Sequence, residues 1–342
     1  MKADIKGMDS REMEAWVLSL GMEAYRARQI RQWVFKRPAC SFEEMTDLPK
    51  PVRERLKEET NLSPLKKVKH LRSRDGTEKY LFRLPDGLSI ESVLIPERDH
   101  YTVCVSSQAG CAMGCRFCLT AAQGLKRNLM PSEIVDQVIQ IKQSMKEPDR
   151  MTNIVLMGMG EPLANYDAVL KAMKILVSEN GANFSHRKVT LSTCGLVPQM
   201  RKLGQDITIN LAISLNAADD ATRSFLMPVN RKYPLKDLIR ACKDFPLPNR
   251  RMLTFEYILI EGVNDRNSDA VRLCKLLFGL RAKINLIPLN SHSGSKMCPP
   301  PMDRILQFQE ILINNNFTAI IRKSKGTDIL AACGQLSGIC ER

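Results

Sequence analysis

This sequence of 342 residues lacks any long hydrophobic run. No stretch approaches the roughly 20 apolar residues of a membrane-spanning helix, and the first residues are charged, unlike a secretory or transit peptide. Hydrophobic residues make up 44% of the chain and charged residues 26%, as in ordinary globular proteins. We therefore expect a cytoplasmic protein with no membrane partner, whose eleven cysteines suit a reducing compartment.

The chain has only four histidines, none at metal-ligand spacing, and it lacks the second cysteine pair typical of structural zinc sites. What it has is three close cysteines, Cys111, Cys115 and Cys118, spaced C-x3-C-x2-C. Disulfides between cysteines this close would be strained. Iron–sulfur clusters usually have four cysteine ligands. Three ligands therefore predict a [4Fe-4S] cluster with one iron left open for a small molecule.

The net charge is +14, and the N-terminal quarter of the chain is its most basic part. Residues 1–83 contain 19 Lys and Arg against 13 Asp and Glu, a net charge of +6. Such an excess favours association with a polyanion such as nucleic acid. A solubilising surface charge is the alternative, and charge alone does not separate the two.

Periodicity divides the chain into four parts. Residues 1–60 show apolar residues at helical spacing and predict a small helical accessory module. Its place in the basic N-terminal quarter makes it the expected nucleic-acid-binding part, which for the family named below means RNA. Residues 61–96 alternate as strands joined by Asp-Gly turns, which predicts a β-rich bridge. Residues 97–330 alternate strand and helix, including a helix from Ser132 as N-cap, and predict six β/α units of an open, partial barrel. Residues 331–342 remain as a C-terminal loop.

Polar residues follow the predicted parallel strands one after another. Because the carboxyl ends of parallel strands share one rim, we expect these residues to surround a ligand there. The glycines of the run GMGEP would let the backbone approach that ligand, and its glutamate would accept from an ammonium group. A turn or cap explains each residue alone, whereas the set predicts one site: Gly158, Gly160, Glu161, Ser192, Thr193, Ser214, Asn216 and Asn290.

The cysteine spacing resembles the cluster motif of the radical S-adenosylmethionine (SAM) enzymes. Over nearly its whole length, the chain resembles the RlmN-type dual-specificity ribosomal and transfer RNA adenine-C2 methyltransferases. The resemblance implies an α/β fold, a partial six-unit β/α barrel of radical SAM type. The matching segments are IESVLIPE (90–97), CVSSQAGCAMGCRFC (104–118), MGMGEPL (157–163), VTLST (189–193), INLIPLN (284–290) and ACGQL (332–336).

The resemblance implies methylation of an adenine C2 in the peptidyl-transferase centre of 23S rRNA and in the tRNA anticodon loop. Cys333 would take a methyl group from one SAM. A second SAM, cleaved at the cluster, would activate that methyl group for addition to the ring. Cys104 would release the product and end in a disulfide with Cys333. Glu91 matches a carboxylate that serves as acid or base.

The resemblance also implies cofactors and partners. The cofactors are a [4Fe-4S] cluster and SAM, two per turnover. Besides 23S rRNA and tRNA, the partners would be an electron-donating reductase or flavodoxin and a thiol reductant. The residues that would bind SAM are Gly160, Glu161, Ser192, Ser214, Leu215, Asn216 and Asn290.

Three alternatives stay open from the sequence. A Cfr-type methyltransferase would share the cysteines and modify C8 of adenine instead of C2. A radical SAM activase of a protein partner would share the cluster without needing Cys104 and Cys333. A non-catalytic RNA-binding protein could use the three clustered cysteines as an iron–sulfur or zinc staple.

Overall fold

One ten-stranded sheet organises the chain. The computed structural model describes residues 2–291 and 296–338, so residues 339–342 of the predicted C-terminal loop lie outside the described part. Two pairs of two-residue strands are separate from this sheet. Its strands, neighbours in chain order, are β1 (Lys66–Arg72), β2 (Glu78–Arg83), β3 (Ser89–Pro96), β4 (Tyr101–Cys104), β5 (Met151–Leu156), β6 (Val189–Thr193), β7 (Asn210–Ser214), β8 (Leu253–Leu259), β9 (Ala282–Pro288) and β10 (Thr318–Ile321).

Strands β4 to β10 are parallel, and helices connect them. Because β10 and β1 are the two edges, the sheet does not close, and the predicted partial barrel is confirmed. No helix in the described part of the chain is long and apolar enough to cross a membrane. The helices are α1 (Ser10–Ser19), α2 (Tyr25–Arg31), α3 (Lys50–Glu59), α4 (Leu119–Ala122), α5 (Pro131–Ser144), α6 (Tyr166–Val177), α7 (Val197–Asp206), α8 (Asp220–Leu226), α9 (Leu235–Asp244), α10 (Asn267–Leu277) and α11 (Met302–Asn314).

The strands of the predicted bridge continue the barrel sheet. β1, β2 and β3 pair with one another and with β4 in antiparallel fashion. Their two tight turns place Gly76 at φ 84° and Gly87 at φ 87°. Glycine adopts this left-handed conformation without steric cost, which explains both Asp-Gly turns.

A buried ion pair joins the N-terminal module to the barrel. Lys6 Nζ contacts Asp136 Oδ1 of α5, and the two side chains are 2% and 0% exposed. Asp136 Oδ2 accepts from the Ser63 hydroxyl at 2.6 Å and from the Leu65 N–H at 3.1 Å. One carboxylate therefore ties together the N-terminus, the segment that leads into β1 and the barrel.

The prediction that Ser132 caps α5 is wrong. The helix begins at Pro131 after Met130, whose N–H donates to the Glu133 carboxylate at 2.8 Å. Proline suits the first helical position because the N–H it lacks would have no partner there. The Ser132 hydroxyl instead donates to Asp4, which adds a second contact between α5 and the N-terminal module.

Alternate residues of the parallel strands face the inside of the barrel, because successive side chains of a strand point to opposite faces. They enclose a cavity of about 590 Å³, which we call the lumen. Amide and hydroxyl side chains form much of its wall, including Thr102, Asn153, Thr190, Asn210, Thr254 and Asn285. Its cations are Arg187, Lys188, Lys283, Arg322, Lys323 and Lys325.

We predict that Lys6→Ala lowers the free energy of unfolding by about 3–5 kcal/mol, because it leaves the buried Asp136 carboxylate without its counter-charge. Urea denaturation followed by circular dichroism measures the change. The control is Lys50→Ala, whose partner Glu54 is exposed. That pair should contribute less than about 1 kcal/mol. Equal losses in the two variants would contradict a stabilising role for the buried pair.

Candidate active site

The three motif cysteines lie on the loop after β4 and line a cavity of about 150 Å³, which we call the rim cavity. Cys111 is buried, and Cys115 and Cys118 are half-buried. The loop depends on Gly110, at φ 78°, where an added Cβ would lie 1.9 Å from the Gly124 carbonyl oxygen. The Cys111 N–H donates to the same carbonyl at 3.2 Å. This close approach turns the chain so that the cysteines face one cavity.

The three thiols fit the predicted cluster chemically. Burial raises the pKa of Cys111 to about 11 and that of Cys115 well above its usual range, and the neighbouring thiols raise both. Three thiolates in this position need positive charge between them, which bound metal supplies. Three soft sulfur ligands suit an iron–sulfur cluster. Within residues 2–291 and 296–338, no three His, Cys, Asp or Glu side chains are placed to hold a single metal ion.

The GMGEP loop after β5 forms a second wall of the rim cavity. Its two glycines have neighbouring atoms so close that a larger side chain would clash with them. A Cβ added at Gly158 would lie 2.7 Å from the Val105 backbone. A Cβ added at Gly160 would lie 2.5 Å from the Gln108 side chain. Gly158, Gly160 and Glu161 all line the rim cavity, as the sequence predicts for a ligand site.

Glu161 is a buried carboxylate held by three donors. It accepts from the Leu163 N–H at 3.0 Å, the Thr193 hydroxyl at 2.8 Å and the Cys194 N–H at 2.7 Å. Burial raises the pKa of Glu161 above its usual value, and these hydrogen bonds offset only part of that rise. The donors fix the carboxylate at the cavity wall, and a carboxylate is a group that can accept hydrogen bonds from an ammonium.

Glu256 of β8 is a site residue that sequence reasoning missed. Its Oε2 accepts from the hydroxyl of Ser192 at 2.7 Å and more weakly from that of Ser214 at 3.5 Å. Burial raises the pKa of Glu256. All three residues line the rim cavity, and Glu256 also lines the lumen. The signal in the sequence is the alternation of Thr254, Glu256 and Ile258, because every second residue of this strand faces inward.

The two residues that follow Ser214 lie in the loop after β7 and differ in their access to the rim cavity. Leu215 is fully buried and is not among the described residues that line the rim cavity. Asn216 lines it, at φ 60°, but its side chain accepts from the Ile258 N–H at 2.9 Å and donates to Met227 Sδ at 3.2 Å. The buried Arg223 donates to the Leu215 carbonyl at 3.0 Å.

Cys104 and Cys333 are far apart in sequence and meet at the lumen; we call them the cysteine pair. Both line the lumen as free thiols, and Cys333 also lines the rim cavity. Burial raises the pKa of Cys104, and a charge on Cys333 raises it further. Burial also raises the pKa of Cys333, to about 11, although solvent reaches its side chain through the cavities. Asn290 lines the lumen and donates to the Cys333 carbonyl at 3.1 Å.

Glu91 lies at a third cavity, of about 300 Å³, between β1, β2, β3 and the C-terminal segment. Its buried carboxylate pairs with Lys79 Nζ at 2.9 Å and accepts from the N–H groups of Ser337 and Gly338 at 2.7 and 3.0 Å. It is not among the described residues that line the lumen or the rim cavity. Its role as acid or base stays a prediction.

Comparison with protein families gives two matches on this chain. Residues 105–274 match the model of the radical SAM superfamily. Residues 3–62 match the model described as the ribosomal RNA large subunit methyltransferase N-terminal domain. The first range includes the cluster-motif cysteines and most of the barrel, and the second covers the helical module.

Similar proteins match over nearly their whole length. The dual-specificity RNA methyltransferase RlmN of Syntrophus aciditrophicus (strain SB) is 52% identical over 337 residues, 98% of this chain and 97% of that protein. The RlmN protein of Geobacter sulfurreducens is 52% identical over 335 residues, 98% of this chain and 92% of that protein. A crystal structure of a radical SAM methyltransferase from Sphaerobacter thermophilus is 44% identical, with a TM-score of 0.95 over 98% of this chain and 99% of that one.

We predict that anaerobic reconstitution loads about four iron and four sulfide per chain, held by Cys111, Cys115 and Cys118. Replacing any one of the three by alanine should remove most of the iron and sulfide, because two thiolates are too few to hold the cluster. Cys298→Ala is the control, since this exposed cysteine lies outside the motif. Stoichiometric zinc without sulfide in the wild-type protein would contradict the prediction.

Proposed function

The chain belongs to the radical SAM superfamily and, within it, to the RlmN dual-specificity RNA methyltransferases, and we propose that its substrates are 23S rRNA and tRNA, methylated at C2 of an adenine. It is a SAM-dependent RNA methyltransferase that uses radical chemistry. The observation that carries the proposed route is the cysteine pair at the lumen, of which Cys333 also lines the rim cavity.

The rim cavity suits the cluster and SAM. Cys111, Cys115 and Cys118 would hold the [4Fe-4S] cluster, which when bound supplies the electron for SAM cleavage. The fixed carboxylate of Glu161 suits the SAM ammonium group, and the hydroxyls of Ser192 and Ser214 suit its ribose. The glycines before Glu161 leave backbone exposed to the ligand.

Cys333 would accept the methyl group. Its sulfur forms a bond to the SAM methyl carbon, the bond from that carbon to the SAM sulfonium breaks, and the thiol proton leaves. Adenine C2 is an unactivated aromatic carbon, so a second SAM is needed to activate the S-methyl group for attack on the ring. Cys104 lines the same cavity as Cys333 and would release the product. Its sulfur would bond to the Cys333 sulfur while the bond from that sulfur to the methylene carbon on the ring breaks, and that carbon would leave with the electron pair and take up a proton to become the methyl group.

The proposed route requires two reductants from the cell. A reductase or flavodoxin would provide electrons to the cluster, and a thiol reductant would reopen the Cys104–Cys333 disulfide. Both requirements, together with substrates made of ribosomal and transfer RNA, favour the cytoplasm.

The RNA surface would include β1 at the edge of the sheet. Five basic residues on or just after this strand are exposed: Lys66, Lys67, Lys69, Arg72 and Arg74. Cations that line the lumen continue this charge toward the cysteine pair. A ring carbon is reached only when its base is unstacked, so loops are the expected targets, recognised largely by shape.

We predict that Cys333→Ala abolishes RNA methylation, because no other residue carries the methyl group. Cys104→Ala should instead accumulate a covalent protein–RNA adduct, since the methyl carrier remains while its release is blocked. Denaturing gels with labelled RNA detect the adduct, and mass spectrometry maps the S-methyl group and the modified base. Full activity of Cys333→Ala would refute the covalent route, and a methyl group on C8 would favour the Cfr-type alternative.

We predict that Lys66→Glu/Lys67→Glu weakens RNA binding by at least about tenfold at 100 mM salt and reduces the salt dependence of binding, because phosphate contacts release counterions. Filter binding across a salt series measures both. The control is Lys243→Glu/Lys275→Glu, an equal charge change at exposed positions of α9 and α10. If both variants lose affinity equally, net charge rather than β1 would explain the binding.

A further inference from the structure

The C-terminal segment that carries Cys333 is held at both ends by one ion pair. Lys79 of β2 donates to the Leu330 carbonyl at 3.2 Å, before Cys333 in the chain. Glu91 of β3 accepts from the N–H groups of Ser337 and Gly338, after Cys333. Lys79 and Glu91 are themselves paired at 2.9 Å, and both side chains are largely buried, 11% and 3% exposed.

The contacts of the middle of the segment with the barrel are neutral hydrogen bonds. Its hydrogen bonds to the barrel run from Leu119 N–H to the Gly334 carbonyl at 2.8 Å and from Asn290 to the Cys333 carbonyl at 3.1 Å. Two more involve Thr120 with Leu336 and Gln335 with Ser291. The charge-assisted contacts are therefore at the ends, and such contacts are the stronger ones.

The two oxygens of Glu91 are already engaged. One pairs with Lys79, and the other accepts two N–H groups at 2.7 and 3.0 Å. Withdrawing this carboxylate would take the acceptor from two half-buried N–H groups and the counter-charge from the largely buried Lys79 ammonium, which costs free energy. The same loss follows if Lys79 is removed, because Glu91 then lacks its counter-charge.

We propose that Glu91 and Lys79 are positioning residues that clamp the C-terminal segment and hold Cys333 between the lumen and the rim cavity. This inference rests on the proposed role of Cys333 in methyl transfer. It gives Glu91 a function through the backbone of residues 330–338 and requires no contact between Glu91 and the RNA base. Removal of either partner should therefore release the segment.

The first test measures how fast iodoacetamide labels Cys333 in the full chain with its cluster, without SAM or RNA. Glu91→Gln and Lys79→Met should each raise the rate at least tenfold, because release moves the thiol from the cavity wall, where the reagent reaches it only through the two cavities, to open solvent. Lys79→Arg should restore slow labelling, since it keeps the positive charge. The matched control is Glu97→Gln, the same change at a side chain with no hydrogen-bond partner among the described residues.

Two other cysteines of the same protein serve as internal controls, one for the activity of the reagent and one for the folding of the barrel. Exposed Cys298 should react equally in every variant, and buried Cys242 should stay unlabelled where the barrel is folded. Mass spectrometry of the tryptic peptide 326–342 gives the modification at Cys333, with fragment ions separating it from Cys340. Unchanged labelling of Cys333 in Glu91→Gln and Lys79→Met, with Cys242 protected, would overturn the proposal.

The second test measures the initial rate of Cys333 methylation by SAM. If Glu91 and Lys79 clamp the segment, Glu91→Gln and Lys79→Met should each slow this step by a similar factor of tenfold or more, and Lys79→Arg should restore it. An acid or base acting on the RNA predicts the opposite pattern: normal Cys333 methylation in Glu91→Gln and an active Lys79→Met enzyme, which would overturn the clamp. Absence of Cys333 methylation in the wild-type protein would refute the proposed function, whereas the labelling test would still decide the clamp.

Discussion

The sheet is open between β10 and β1, and the chain crosses this opening after β10. Lys325 Nζ donates to the Pro96 carbonyl, and the Gly326 N–H donates to Asp75 at 2.9 Å. Asp328 accepts from the Ser73 hydroxyl at 2.6 Å, so the segment is bound to the first hairpin before it reaches Cys333. An open barrel leaves its lumen accessible, and this crossing closes part of the opening while placing a thiol inside. The position of the cysteine pair depends on it.

Much of this arrangement could be predicted from the sequence because it follows from local rules. Strand–helix alternation gives the parallel sheet, and the carboxyl ends of its strands gather Glu161, Ser192 and Ser214 at one rim. The left-handed turns at Gly76 and Gly87 follow from glycine. These features depend on residues close in sequence or on the common direction of the strands, so a reader of the sequence can derive them.

The features that the sequence did not predict are contacts between distant segments. Glu256 lies within an apolar strand, and only the register of the barrel makes it face Ser192. Ser132 has the side chain of a helix cap, yet the N-terminal module supplies Asp4 as its partner. Glu91 matches an acid or base of the family, and the sequence did not predict its contacts with Lys79 and the C-terminal backbone. Side-chain type alone does not say which distant partner a polar group will find.

Positive charge predominates on the exposed strand β1 and in the lumen, whereas the rim cavity is lined by carboxylates. The chain carries +14 overall, and its exposed strand β1 is basic. Among the described residues, neither Lys nor Arg lines the rim cavity, which has the carboxylates of Glu161 and Glu256 and the motif cysteines. SAM is cationic at its sulfonium and ammonium groups, whereas RNA is a polyanion. An acidic cavity therefore suits SAM and a basic lumen suits RNA, and Cys333 lies on the wall that both cavities share.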